Sequence, residues 1–123
     1  MKKNKFSKNW IIKQKRDLYV KKSKLEGYRS RAVYKLQEIN DKFKIIKNNI
    51  LVVDLGAAPG SWSQYISRNF KNSKIISIDL KDIEPIKNVT HIIGDFTDEN
   101  EKLKIQNYFR KKVDLIVSDM AVN

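Results

Sequence analysis

The sequence lacks cysteine altogether, and its 123 residues include one histidine, two prolines and four glycines. Without cysteine it forms neither a disulfide framework nor a thiolate metal site, and His91 alone is a poor basis for a zinc site. No segment approaches the roughly 20 apolar residues that span a bilayer, and no apolar segment follows the basic N-terminus as in a secretory signal. We therefore predict a monomeric cytoplasmic protein that binds neither a metal nor a membrane.

Acidic residues are scarce at one end of the chain only. The sequence has 26 basic and 14 acidic residues and a net charge of +12. Residues 1–47 contain 16 basic and 4 acidic side chains and so carry the whole excess, whereas the remaining residues contain 10 of each. A one-sided cationic field attracts polyanions such as nucleic acid. We therefore divide the chain into a basic arm and helix that contacts RNA (residues 1–47) and a neutral domain (residues 48–123).

Short apolar runs alternate with helical periodicity along the chain. Residues 1–24 show only weak periodicity, whereas Ser30 is a candidate N-cap for a helix over 30–43. Further helices are predicted over 62–70 and 99–111, and strands over 50–53, 74–78, 89–93 and 113–117. This alternation predicts an α/β fold of the Rossmann-like, doubly wound kind, with a mainly parallel sheet of which only the first four strands are present.

The stretch Asp54–Trp62 follows the first predicted strand and opens a helix. Ligands of open parallel sheets bind at this end of the strands, and Gly56 and Gly60 allow a close approach of the backbone. A dinucleotide site requires three glycines, and Pro59 removes an N–H donor that a phosphate would use. The carboxylate of Asp54 suits the cationic groups of S-adenosylmethionine, so we favour that cofactor over a nicotinamide dinucleotide.

Two further acidic residues follow predicted strands. Asp79 ends the second strand, 19 residues after Gly60, which is close to the offset at which a carboxylate accepts hydrogen bonds from ribose hydroxyls. Asp95 follows the third strand, where its side chain can meet the adenine edge. Any βαβ unit has a glycine turn and acidic caps, so it is the combination that predicts S-adenosylmethionine.

Four stretches of the sequence together resemble the FtsJ/RrmJ family of uridine 2′-O-methyltransferases, which act on large-subunit (23S) ribosomal RNA. The stretch DLGAAPGSWSQY at 54–65 is similar to the family's cofactor motif. The others are YRSRAVYKL at 28–36, GDF at 94–96 and SDMA at 118–121. The match runs in order from about Trp10 to Asn123. Other methyltransferases share the glycine turn but lack the Ser-Arg-Ala-x-x-Lys-Leu helix.

The resemblance implies a catalytic set of Lys, Asp, Lys and Glu. Lys35 matches the first lysine, which would orient the ribose hydroxyl, and Asp119 matches the aspartate, which would hold Lys35. Two positions depart from the family pattern, because Ser61 replaces a second glycine and Val122 replaces a proline. The implied cofactor contacts fall on Gly60, Trp62, Asp79, Asp95 and Asp119.

The second lysine and the glutamate of the catalytic set come from strands beyond the fourth, and no residue here matches them. We therefore expect a shortened reading frame or a fragment, with the fourth strand as an apolar edge. Two alternatives to 2′-O-methylation of 23S ribosomal RNA stay open. One is a defective relative that only binds RNA or cofactor, and the other is a relative of the 2′-O-methyltransferases that act on messenger RNA caps or transfer RNA.

Basic side chains before and within the matched helix are predicted to hold RNA phosphates, a contribution that depends on salt and not on base sequence. These residues are Lys21, Lys22, Lys24, Arg29 and Arg31. Trp10 and Tyr19 either stack on bases or fill gaps in the core. The predicted partner is the ribosomal RNA of the large subunit.

Overall fold

The computed structural model describes residues 5–108 and 113–119. Its helices are α1 (Lys5–Glu26), α2 (Val33–Phe43), α3 (Ser61–Asn69) and α4 (Glu99–Tyr108). Its strands are β1 (Leu51–Leu55), β2 (Lys74–Asp79), β3 (Val89–Ile93) and β4 (Leu115–Ser118). The strands form one parallel sheet in the order β3-β2-β1-β4. The predicted α/β class and parallel sheet are confirmed, and β4 begins two residues later than predicted.

The strand register aligns the ends of the four strands at one edge of the sheet. Leu55 pairs with both Ile78 and Ser118, and Asp79 pairs with Ile93. The chain runs outward from β1 through β2 to β3 and then returns to place β4 on the other side of β1. The strand order therefore reverses between β1 and β4, which is where open parallel sheets bind ligands.

Alternate residues of the strands face opposite sides of the sheet. Val52, Ile75 and Val117 belong to the cluster that packs against α2 and α3. Val53 belongs to the cluster on the opposite side, against which Ile105 of α4 packs. Helices thus cover both faces, as in doubly wound folds. Residues of α2 belong to the same core cluster as residues of the strands. The predicted boundary at residue 47 therefore marks a change in charge along the sequence, and the core extends across it.

The first helix is where the sequence patterns mislead most. The sequence shows only weak periodicity over residues 1–24, yet α1 is a continuous helix of 22 residues. Residues 7–19 are exposed along its whole circumference. A helix that packs against little carries no apolar stripe, so it gives no periodic signal, although lysine, leucine and glutamine favour helix. No helix in the described ranges is both long and apolar enough to cross a membrane.

The predicted N-cap of the second helix is wrong. The helix begins at Val33, and Ala32 occupies the cap position with φ −57° and ψ −22° and no side-chain cap hydrogen bond. The Oγ of Ser30 instead accepts the N–H of Ala32 at 3.0 Å. Ser30 therefore stabilises a turn one step before the helix, because its hydroxyl competes for a nearby backbone donor. At the other end of the domain, part of the helix predicted over 99–111 lies outside the described residues.

Candidate active site

The loop after β1 is fixed to the end of β2. The N–H groups of Gly56 and Ala57 both donate to the carbonyl of Ile78, at 2.8 and 3.2 Å. Gly56 has φ +67°, a left-handed conformation that glycine adopts without strain. The chain can therefore turn sharply over the carboxyl ends of β1 and β2, where the prediction placed the cofactor.

Gly60 ends this loop and is the N-cap of α3. Its φ is +110°, and a Cβ at this position would lie 2.8 Å from the Cδ1 of Ile86 and 3.3 Å from the guanidinium of Arg29. A side chain here would thus be strained in its backbone and would collide with its neighbours. The glycine is required by the shape of the loop.

Asp79 connects the glycine loop to the segment after β2. Its Oδ2 accepts the N–H of Ala58 at 3.0 Å, and its Oδ1 accepts the N–H of Lys81 at 2.9 Å. An ionised carboxylate has about four acceptor positions, so these two bonds leave room for further donors. The geometry suits the predicted role of Asp79 as acceptor for ribose hydroxyls.

Asp54 lies beneath the loop and is 2% exposed. Its Oδ2 accepts a hydrogen bond from the Oγ of Ser63 at 2.8 Å. Burial raises the pKa of Asp54 to about 6, with further upward contributions from Asp119 and Asp79, although the bonds from Ser63 oppose this rise. A buried carboxylate close to other carboxylates is stabilised by a cationic ligand. This environment suits the predicted preference for an ammonium or sulfonium group.

Lys35 and Asp119, the two predicted catalytic residues, form an ion pair across the top of the sheet. The Nζ of Lys35 lies 3.1 Å from the Oδ1 of Asp119, and their side chains are 67% and 28% exposed. Lys35 extends from α2, which is anchored by the buried Val33 and Leu36, and Asp119 directly follows β4. An exposed pair of this kind stabilises a fold by about 0–1 kcal/mol. The pair therefore matters less for stability than for its location, because it places two opposite charges where the strand order reverses between β1 and β4.

Trp62 and Asp95 lie in very different surroundings. The Trp62 side chain is 6% exposed and belongs to the core, and its Nε1 donates to the carbonyl of Ala32 at 2.8 Å. Its indole thus joins α3 to the start of α2, and a cofactor contact at this position would have to use the backbone. Asp95 is exposed, and the hydroxyl and N–H of Thr97 donate to its carboxylate and lower its pKa.

Arg29 is engaged within the protein and does not extend freely toward solvent. Its Nη1 donates to the carbonyls of Pro59 at 3.0 Å and Glu84 at 2.6 Å, and its Nη2 donates to that of Pro85 at 3.1 Å. The guanidinium therefore ties the glycine loop to the segment between β2 and β3. This geometry favours a positioning role for Arg29 over the predicted contact with phosphate.

The other predicted RNA-binding residues lie around α1 and the start of α2. Lys21 and Lys24 are exposed on α1. The Nζ of Lys22 lies 4.7 Å from the centroid of the Tyr34 ring and 3.8 Å from Glu26. Arg31 lines a cavity of about 430 Å³ together with Lys35 and Asp119. Basic groups therefore lie on the side of the molecule where the ion pair is found.

These surroundings fit S-adenosylmethionine. The loop from Gly56 to Gly60 turns over the carboxyl ends of β1 and β2, where ligands of open parallel sheets bind. Asp54 has a buried carboxylate that suits a cationic group, and Asp79 has a partly buried carboxylate that suits ribose hydroxyls. Pro59 has no N–H to offer a phosphate.

The sequence profile described as FtsJ-like methyltransferase matches residues 28–123. The chain belongs to this family. Over 123 residues it is 62% identical to a protein of Pelagibacter ubique named ribosomal RNA large subunit methyltransferase E. Relatives with the same name in Rickettsia felis and Legionella pneumophila are 50% and 46% identical.

The FtsJ-like chain corresponds to part of these relatives. It is matched over its whole length by the Pelagibacter protein and spans 61% of that protein. It also resembles a crystal structure assigned as a ribosomal RNA methyltransferase of Plasmodium falciparum, with a TM-score of 0.68 and 42% identity. That match covers 78% of this chain and 58% of the other. The Rossmann-like methyltransferase fold is thereby confirmed.

Two residues that support the site were assigned no role from the sequence. Ser63 is fully buried and holds Asp54. Gln64 accepts the N–H of Arg29 at 2.8 Å and donates to the carbonyl of Gly27 at 3.3 Å. The sequence offered one indication of their role. Ser63 and Gln64 stand between the aromatic residues Trp62 and Tyr65, and polar residues in such a position are candidates for buried hydrogen bonds.

Proposed function

We propose that this chain is the cofactor-binding part of an S-adenosylmethionine-dependent enzyme that methylates the ribose 2′-oxygen of a uridine in 23S ribosomal RNA. The observation that carries the proposal is the ion pair of Lys35 and Asp119, 3.1 Å long, beside the glycine loop at the point where the strand order reverses. The names of the relatives support ribosomal RNA as the substrate class.

The cofactor would be held by the loop from Gly56 to Gly60, by Asp54 beneath it and by Asp79 at its side, with Asp95 and Asp119 at the neighbouring strand ends. S-adenosylmethionine supplies a methyl group on a positively charged sulfur. The carboxylate of Asp54 complements positive charge, and that of Asp79 accepts hydroxyl hydrogens. The backbone N–H groups of the loop are fixed before any ligand arrives, which reduces the entropic cost of binding.

Lys35 positions the accepting hydroxyl. Its ammonium donates hydrogen bonds, and one of them is already directed to Asp119. The remaining donors can orient the ribose 2′-oxygen and stabilise the negative charge that develops there as the proton leaves. Asp119 holds the ammonium in place. No residue in the chain matches the second lysine of the family, so we assign to these residues orientation of the substrate and not removal of the proton.

The basic arm would bring the RNA to this site. The sequence of α1 contains eight basic and two acidic residues, and contacts between such residues and phosphates provide affinity without base specificity. We propose a monomer that acts in the cytoplasm on the large ribosomal subunit. A binding-only relative has the same cofactor and RNA contacts but gives no turnover.

Calorimetric titration of S-adenosylmethionine into the folded chain tests the cofactor assignment. We expect saturable binding that is lost in Asp79→Ala and retained in Asp82→Ala, a matched carboxylate in the following segment. Heat from a nicotinamide dinucleotide and none from S-adenosylmethionine would contradict the proposal. Undermethylated large subunits and labelled S-adenosylmethionine then separate enzyme from binder, because a binder retains RNA without incorporating label.

A further inference from the structure

Tyr19 lies on α1 at a cavity of about 430 Å³ that also contains Lys35 and Asp119. Its ring stacks on that of Tyr34, with the centroids 5.3 Å apart and the planes inclined by 24°. Despite this contact, Tyr19 is 43% exposed. A ring that is stacked on one face and still exposed to this extent has its other face accessible to a ligand.

Tyr34 gives Tyr19 a rigid support. It is 7% exposed, and its hydroxyl donates to Glu26 at 2.9 Å. The ring of Tyr28 meets its edge, with centroids 6.4 Å apart, and Lys22 lies over the ring. Burial and the hydrogen bond that the phenol donates to Glu26 raise the pKa of Tyr34. The buried and hydrogen-bonded Tyr34 therefore restrains the orientation of the Tyr19 ring that stacks on it.

The chemistry around Tyr19 matches what single-stranded RNA requires. Nucleobases stack on aromatic side chains, and adjacent cations hold the backbone. Arg31 lines the same cavity, and Lys22 and Lys42 line a second cavity that also includes Tyr19. Two carboxylates, those of Glu38 and Asp41, lie among these cations. The volume of the first cavity falls within the range of about 300–1,000 Å³ that small-ligand sites occupy.

We propose that Tyr19 is a stacking platform for a nucleobase of single-stranded RNA, in a cavity where the ribose of that nucleotide faces Lys35 and Asp119. The inference rests on the proposed function, because it identifies the substrate side of the same site. The competing role for Tyr19 is packing of α1 against α2, with no contact to RNA.

A short uridine-rich RNA with one 2-aminopurine, whose fluorescence is quenched by stacking, tests the platform in the full chain. We expect quenching with the unsubstituted chain and with Tyr19→Phe. Tyr19→Ala should lose the quenching and bind the RNA roughly 5- to 150-fold more weakly, which is the range for loss of one stacked base. The dependence of affinity on salt should not change, because stacking releases no counterions. Leu18→Ala, at the exposed neighbouring position, is the matched control.

Three results would overturn the platform. The first is no quenching with the unsubstituted chain, and the second is unchanged RNA binding in Tyr19→Ala. The third is quenching in Tyr19→Leu equal to that of the unsubstituted chain, because leucine retains the packing but has no aromatic face. Titration of S-adenosylmethionine into each variant separates this proposal from the proposed function. Cofactor binding without base stacking refutes the platform alone, whereas base stacking without cofactor binding refutes the methyltransferase assignment alone.

Discussion

The guanidinium of Arg29 donates to the carbonyl of Pro59, 30 residues further along the chain, at 3.0 Å. The same guanidinium bonds the carbonyls of Glu84 and Pro85. One side chain thus joins three parts of the molecule, namely the turn before α2, the glycine loop and the segment between β2 and β3. The predicted RNA-contacting helix and the predicted cofactor loop are therefore mechanically connected.

Arg29→Lys should weaken binding of S-adenosylmethionine, because a lysine has no planar fork to bond three carbonyls at once. A lysine that keeps one of the three bonds loses two, at about 0.5–1.5 kcal/mol each, so we expect an increase in Kd of up to roughly 5- to 150-fold by calorimetry. Arg31→Lys, at the nearby exposed arginine, should leave the cofactor affinity unchanged. If Arg29→Lys leaves the cofactor affinity unchanged, and the charge-removing variant Arg29→Gln reduces the salt dependence of RNA binding, Arg29 is a phosphate contact as the sequence predicted.

The buried carboxyl of Asp54 should make stability depend on pH. Its pKa in the folded protein is about 6, above the ordinary value of 3.8. The folded state therefore holds the proton more tightly than the unfolded state. The resulting stability is fully present below about pH 4 and is lost as the pH rises through about 6, by up to about 3 kcal/mol.

Urea unfolding at a series of pH values measures this effect. Asp54→Asn should remove most of the loss between about pH 4 and 6, because the amide cannot ionise yet its oxygen still accepts from Ser63. A variant with the same pH profile as the original chain would rule out Asp54 as the source. Cofactor binding should show the opposite trend and weaken below about pH 6 in the original chain, since a neutral carboxyl no longer attracts a cationic ligand.

Gly60→Ala should destabilise the fold by about 1–3 kcal/mol, the range for residues held in an unfavourable backbone conformation. The added Cβ also meets the side chain of Ile86 at 2.8 Å. Gly94→Ala is a matched control for the side-chain contact alone, because its new Cβ meets the Oε2 of Glu101 at 2.7 Å but its backbone has no left-handed φ. The melting temperature of Gly60→Ala should be well below that of Gly94→Ala. Equal decreases in melting temperature would indicate that the glycine loop adjusts to the added Cβ.

Lys35→Ala should have little effect on folding and a large effect on function. Loss of an exposed ion pair changes the free energy of unfolding by less than about 1 kcal/mol. Any methyl incorporation by the original chain should fall by about 100- to 1,000-fold, the usual loss when a donor that stabilises developing negative charge is removed. Lys74→Ala, at the exposed amino end of β2, should retain incorporation. Equal activities of the two variants would show that Lys35 is an ordinary surface lysine.

Much of this protein was predictable from local patterns. The predicted strands at 74–78 and 89–93 correspond closely to β2 and β3. For β2 the reason is that a strand buried in a parallel sheet is apolar on both faces. The turn from Asp54 to Gly60 was also predictable, since its glycines are required by the backbone itself. Helix α1 was not predictable in this way, because its exposed surface leaves no periodic pattern.

The sequence by itself determined the fold class, the position of the glycine loop and the identity of the acidic residues that follow the strands, because each depends on residues close together in the chain. Only the tertiary structure decided which side chains work together. It brought Lys35 to Asp119 across 84 positions and assigned Arg29 to three backbone carbonyls. It also left Tyr19 exposed beside that pair and buried Trp62 in the core. These outcomes depend on strand order and helix packing, which place residues that are distant in sequence next to one another.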